Sequence, residues 1–142
     1  MDVMHVELAD TEAVIRRAYD LWNQGNLKEY LACYDSDVEW TMPGARGRGL
    51  KGIPEELASE LTALPDCHID IQQIVASGDR AAVELTITGT NTGPISLRDG
   101  STRSATGKRI FRGVAVMMRV RNGRVTEFRE YSNEPPWVQQ LL

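Results

Sequence analysis

Helical periodicity stops near Pro65, and from His68 to Asn133 the chain reads as consecutive strands. Helices first and strands afterwards restrict these 142 residues to an α+β arrangement, with helices covering one face of an antiparallel sheet. Asp10 or Thr11 is placed to cap a first helix, in which Val14, Ala18, Leu21 and Trp22 recur at helical spacing. Ile15 and Tyr19 widen that stripe, and Gly25 closes it. Asn26 starts a second helix, with Glu29 three residues on as in a capping box, followed by Leu27, Tyr30, Leu31 and Tyr34. Asp35-Ser36-Asp37 reads as a turn and Val38–Met42 as a short strand stopped by Pro43-Gly44. Residues 45–51 are a loop rich in Gly and Arg that lacks the strand and helix offsets of a phosphate loop. Gly52-Ile53-Pro54 opens a third helix with Leu57, Leu61 and Leu64 on its apolar face.

The first long strand runs from His68 to Ala76, and Ser77-Gly78-Asp79 turns it back. Arg80 to Thr90 alternates well, with Val83, Leu85 and Ile87 on one face and Glu84, Thr86 and Thr88 on the other. Residues 93–107 form a polar excursion, read as a mobile loop, and Arg109 to Arg121 a long strand. Asn122-Gly123 is a strong hairpin signal, because a type I′ turn needs φ > 0 at both central residues. The last strand, 123–133, carries Glu127, Arg129 and Glu130 and stops before Pro135-Pro136. Charges in such a strand mean either a solvated edge or an acid/base group aimed into a pocket. A sheet this long twists and curls, and three helices closing it leave a cone whose open end suits a small molecule.

Charge and motif content narrow the function classes. The net charge is −4 with scattered basic residues, a poor surface for nucleic acid. No apolar run approaches the length of a membrane span, and the N-terminus has no signal-peptide pattern. Cys33 and Cys67 fit no metal or redox spacing, and His5 and His68 lie far apart, so a zinc site is not expected. The expectation is one cytoplasmic domain over residues 1–142, with no metal and no organic cofactor.

The order of elements, with several local motifs, resembles the SnoaL-like polyketide cyclases of the nuclear-transport-factor-2-like superfamily. The marks are Val38-Glu39-Trp40-Thr41-Met42-Pro43-Gly44, Leu64-Pro65-Asp66-Cys67-His68, Gly78-Asp79-Arg80, Gly89-Thr90-Asn91-Thr92-Gly93, Thr106-Gly107-Lys108, and Asn122 to Glu127 with Gln139-Gln140-Leu141. The resemblance implies a cone-shaped curved antiparallel sheet covered by three N-terminal helices, a cystatin-like fold. It also places the cyclases' acid/base aspartate on Glu130, within Phe128-Arg129-Glu130-Tyr131-Ser132-Asn133. The Trp-Arg-Asp-Tyr segment of limonene-type epoxide hydrolases puts its catalytic aspartate at the same residue. Departures are clear. The cyclases' histidine partner falls near Val116, the histidine of their Gly-Thr-His-Thr-Gly motif is Asn91, and the hydrolases' Arg-x-Asp pair falls near Glu84 and Thr86.

Glu130 is therefore the first catalytic candidate and Glu39 the second, since relatives such as ketosteroid isomerases carry a proton-moving residue on that strand. Two carboxylates in one apolar cavity would divide into an acid and a base; Asp70 is a lesser third. Tyr19, Trp22, Trp40, Phe128, His68, Thr86 and Asn91 are the substrate-binding candidates. The bland alternatives are core packing for the aromatics, a rim role for His68, an outer polar face for Thr86, and turn chemistry for Asn91. The expected function is a cofactor-free small-molecule cyclase or isomerase of secondary metabolism acting on an apolar or polycyclic substrate. The alternatives are an epoxide hydrolase or epoxide-opening cyclase, and a non-catalytic binding or assembly domain. A homodimer through the outer sheet face is expected, with no membrane and no nucleic-acid partner.

Overall fold

The structure is a computed structural model that describes the backbone of residues 3–142 and side chains from Thr11 onward, which leaves His5 outside the described side chains. Helix α1 (Val3–Asn23) buries Thr11, Ile15, Ala18, Tyr19 and Trp22, one stripe at helical spacing. The cap expected at Asp10 or Thr11 is absent, because the helix runs through both. Thr11 instead lies in the core and donates its hydroxyl to the Gly78 carbonyl at 2.8 Å. Asn23 ends the helix in a two-way amide pairing with the backbone of Ile69, 2.8 Å in each direction. Helix α2 (Leu27–Ala32) has the expected cap, Asn26, whose side chain accepts from the Glu29 amide. Helix α3 (Ile53–Ala63) starts after Gly52 with Pro54 in its first turn.

The sheet has six strands in the order β2-β1-β8-β7-β4-β3, curved and not closed into a barrel. They are β1 (Tyr34–Met42), β2 (Ala45–Arg48), β3 (His68–Ser77), β4 (Arg80–Thr90), β7 (Arg109–Arg121) and β8 (Arg124–Ser132). A separate two-stranded ribbon, β5 (Ile95–Ser96) with β6 (Thr102–Arg103), lies inside the polar excursion. Asn122 (φ 53°) and Gly123 (φ 75°) make the β7–β8 turn in the left-handed conformation their motif predicts.

Four details differ from the sequence reading. Asp35-Ser36-Asp37 is part of β1, where the Asp37 amide bonds the Asp35 carboxylate at 2.8 Å and the register slips, a bulge rather than a turn. Residues 45–48 pair with β1 as a hairpin. β1 runs parallel to β8, although the sheet was expected to be antiparallel; alternation reveals a strand's face but not its direction. A fourth helix, α4 (Trp137–Leu141), follows the prolines. There the Gln140 side-chain amide bonds both the N–H (3.0 Å) and the carbonyl (2.8 Å) of Phe111, beyond the last β7–β8 pair at Val114–Ser132.

One face of the sheet and the helices share the core. Val83, Leu85 and Ile87 on β4, Ile110, Val114, Val116, Met118 and Val120 on β7, and Val125 and Phe128 on β8 are buried. No helix among the described residues is long and apolar enough to cross a membrane.

Candidate active site

Strand parity decides which candidates point inward. On β8, Phe128, Glu130 and Ser132 share the inner face, while Arg129 and Tyr131 are exposed on the outer one. Glu130 lies opposite Val116, and its side chain is only 11% exposed. It is not an isolated carboxylate in an apolar cone, as the sequence suggested. Arg112, two residues beyond Val114 on the inner face of β7, donates Nη2 to Glu130 Oε2 at 2.9 Å. At 12% exposure the guanidinium is as enclosed as its partner. Such a pair is held by geometry, because removing either charge leaves the other buried and uncompensated.

Tyr19 and Trp22 from α1 and Phe128 from β8 are buried with the inner face, and Trp40 from β1 is half-buried against them. The rings of Trp22, Tyr30, Tyr34 and Phe128 follow one another edge to face, with centroids 5.2, 5.2 and 6.2 Å apart. The Tyr30 and Tyr34 hydroxyls bond each other at 2.8 Å. Burial pushes the Tyr19, Tyr30 and Tyr34 phenols upward, and the Glu130 charge adds to this at Tyr19 and Tyr34, so all three stay neutral. Trp40 spends its indole N–H on the Gly49 carbonyl at 3.0 Å.

The other candidates are not brought together with Glu130. Glu39 has the opposite parity from Trp40, is exposed, and pairs with Arg48 on the outer face. A cleft of about 250 Å³ there is lined by Asp35, Asp37, Glu39, Arg119 and Glu127 among others, and it does not reach Glu130. His68 and Asp70 are exposed and bond each other at 3.2 Å on the outer side of β3. Thr86 also faces outward, accepting from Gln72 Nε2 at 3.1 Å, and Glu84 is exposed beside it. The outer account of the Glu84-Thr86-Thr88 face is thus the correct one. Asn91 is fully buried, but its side chain is spent on the protein. Nδ2 donates to the Ala63 and Gly93 carbonyls at 2.9 Å each, and Oδ1 accepts from the Thr106 amide (2.6 Å) and hydroxyl (2.9 Å). No hydrogen-bonding capacity is left for a substrate.

One residue that sequence reasoning missed is Glu60, on the Leu57-Leu61-Leu64 side of α3. It is half-buried. Among the described residues its side-chain partner is the Cys67 thiol, at 4.0 Å. Burial pushes the Glu60 carboxyl up to about 7; the Arg112 guanidinium pulls it down, and the Glu130 and Glu56 carboxylates push it further up. Burial also pushes the Cys67 thiol up to about 12, with Glu60 contributing. Arg112 was missed likewise. Both carried a legible signal: a charged residue at a position whose spacing assigns it to the apolar face.

This has a consequence for stability. A carboxyl at about 7 in the fold and about 4.5 in the unfolded chain keeps its proton longer when folded. Unfolding then releases a proton between those values, so stability falls as pH rises through that window. The ceiling is about 3 kcal/mol, from about 2.5 units at 1.36 kcal/mol each. Urea denaturation at pH 5 and pH 8 should show this loss in the wild type and little of it in Glu60→Gln.

Residues 15–128 match the model of the SnoaL-like domain, a match that ends two positions before Glu130. No curated protein matches the chain. Among solved structures, the chain is similar to AclR, a candidate hydroxylase from Streptomyces galilaeus, at 22% identity over 94% of this chain and 96% of that one, with a TM-score of 0.77. It is also similar to a candidate polyketide cyclase from Xanthomonas campestris, at 20% identity over 96% and 99%, with a TM-score of 0.72. TerC, co-crystallised with polyporic acid, is similar at 22% identity over 87% and 92%, with a TM-score of 0.66. At these identities the structural likeness speaks for the fold alone, and the domain match over most of the chain speaks for the family: this protein belongs to the SnoaL-like domain family.

Proposed function

We propose that this protein is a small-molecule cyclase or isomerase that uses Glu130 as a general acid/base group on the inner face of the sheet. The observation that carries the reading is the enclosed Glu130–Arg112 pair, 2.9 Å apart and nearly solvent-free, on a scaffold whose relatives include candidate polyketide cyclases. Surface ion pairs are common and worth little; an enclosed one on the concave side of a sheet needs a reason. Arg112 aims the carboxylate and steadies negative charge formed next to it. Tyr19, Trp22, Trp40 and Phe128 give the surroundings the apolar, aromatic character that a polycyclic substrate would match. Glu39, His68, Thr86 and Asn91 are not part of this site. The test is turnover of ring-forming polyketide analogues by the purified wild-type protein. Ring closure or double-bond migration supports the reading, and binding without turnover contradicts it in favour of a ligand-binding domain.

An epoxide-opening reaction is the second reading. One observation favours it: an arginine does stand beside the last-strand carboxylate, but it is Arg112 and not a residue near Glu84 or Thr86. Two positions on, where the hydrolase pattern has aspartate, is Val114.

The protein is further proposed to form a homodimer through the outer sheet face. Phe111, Met117 and Tyr131 there are 52%, 39% and 55% exposed, and Val75 on β3 is 57% exposed. Apolar side chains gathered on one face in this way mark an interaction surface. Sedimentation equilibrium at tens of micromolar should show a dimer, and Phe111→Glu with Tyr131→Glu should return it to monomer. A wild-type monomer under those conditions contradicts the proposal.

A further inference from the structure

We propose that the exposed ribbon from Arg98 to Arg109 is a docking surface for an acidic protein partner, one that presents a row of carboxylates to Arg98, Arg103, Lys108 and Arg109. The inference goes beyond the reaction proposed above and does not depend on Glu130.

Charge is the first observation. Residues 93–112 carry five arginine or lysine side chains and one acid, Asp99. That puts the segment at +4 and leaves −8 for the rest of a chain whose net charge is −4. Arg112 turns inward to Glu130. The other four cations are exposed, and none of them forms an ion pair among the described residues. Their contacts are long ones to neutral oxygens, Lys108 Nζ to the Leu141 carbonyl at 3.5 Å and Arg109 Nη1 to the Thr90 hydroxyl at 3.4 Å. The nearby acids are already engaged. Asp66 accepts from the amide of Thr90, the residue opposite Arg109, at 2.7 Å, and Asp99 accepts from the Ser101 amide at 2.9 Å.

Order is the second observation. Every residue from Arg98 to Arg109 is exposed, yet the backbone is fixed. Leu97 bonds Ser101 at 2.9 Å across the tip, and Ile95 is fully buried at the base. Asn91 exchanges backbone bonds with Gly107 and Lys108 at 2.9 and 2.8 Å. Four like charges held in place repel one another, and an acidic surface relieves that repulsion with little further ordering.

Form selects the partner. The cleft at Glu39 and Arg119 and the cleft at Arg17 and Cys33 include no residue of the ribbon. A row of exposed cations along a hairpin has no walls to enclose one small anion; it matches a surface of its own length. A nucleic acid or an anionic membrane extends beyond the ribbon and meets the −8 of the remaining chain. A protein can confine its carboxylates to the contact. The ribbon leads directly into β7, so the partner sits at the Arg112 end of that strand.

The experiment titrates the full chain, by fluorescence anisotropy, with a capped polyalanine helix carrying glutamate at every fourth position, and with its glutamine counterpart. At about 50 mM NaCl the glutamate peptide should bind at least about tenfold tighter. Most of that advantage should vanish at about 500 mM, where the screening length is about 4 Å. Arg98→Glu with Arg103→Glu should abolish it. These two cations, unlike Lys108 and Arg109, bond nothing among the described residues, and Arg98→Gln with Arg103→Gln replaces them should the reversal not fold. Lys28→Glu with Arg46→Glu changes the net charge equally at exposed positions elsewhere and should leave the advantage intact. Equal binding of the two peptides overturns the proposal, as does an equal loss in the Lys28 and Arg46 variant. Tighter binding of a DNA duplex or of phosphatidylglycerol vesicles than of the glutamate peptide also overturns it. So does a change of oligomeric state in Arg98→Glu with Arg103→Glu, since the occupant is then a second copy of this chain.

Discussion

Gly93→Ala should destabilise the protein by about 3 kcal/mol or more, with Asn91→Ala close behind. A methyl group on Gly93 would stand 1.9 Å from the backbone carbonyl oxygen of Thr62, so chain must move against chain. The contact cannot open without cost. The Gly93 amide bonds the Ala63 carbonyl at 3.2 Å, and Asn91 clamps the same carbonyl. Ile95, fully buried, follows two residues later. Asn91→Ala removes four side-chain hydrogen bonds from a fully buried residue, and each such bond contributes about 0.5–1.5 kcal/mol. Both variants should lower the urea midpoint while leaving the slope near the wild-type value. Unchanged midpoints would show that the 93–107 segment is not held to α3 in solution.

That segment also shows where a sequence stops being legible. Residues 93–107 are polar and rich in turn formers, so they read as a mobile loop. What ties them down is one amide side chain and one missing methyl group, and neither leaves a periodic trace. Periodic features were legible. The α1 stripe, the β4 and β7 alternation and the Asn122-Gly123 turn all follow from local rules. The parallel β1–β8 pair and the bulge within β1 did not, because they depend on which strand β1 meets after α2. The short helix α4, after two prolines, was equally silent.

The site was half legible. Parity alone puts Glu130 inward with Phe128 and sends Arg129 outward, as expected. The same rule, applied from Trp40, would have sent Glu39 outward; its appeal came from family likeness. Arg112 was legible in principle as the one charge in the Ile110-to-Val120 inward series, and Glu60 as the one charge along the Leu57–Leu64 face. Neither belongs to a motif, so only its place in an apolar series marks it. His68 and Thr86 sit on strands whose apolar alternates already claim the core side, so both end on the outer face.

The account depends on chemistry taking place inside the sheet and not outside it. Glu130 and Glu39 form a matched pair for testing this: both are strand glutamates, both are bonded to arginine, and they differ in the face they occupy. Removing a general acid/base group costs typically 10²–10⁴ in rate, equivalent to roughly 3–5 kcal/mol of barrier. A carboxyl-to-amide change on the exposed outer face costs almost nothing. The decisive measurement is kcat/KM for Glu130→Gln and Glu39→Gln on the first substrate that the wild-type protein turns over, each with its folded state checked by circular dichroism. The account predicts a fall of about 10²–10⁴ for Glu130→Gln and less than about twofold for Glu39→Gln. Near-wild-type turnover by a folded Glu130→Gln, or a large loss confined to Glu39→Gln, contradicts it.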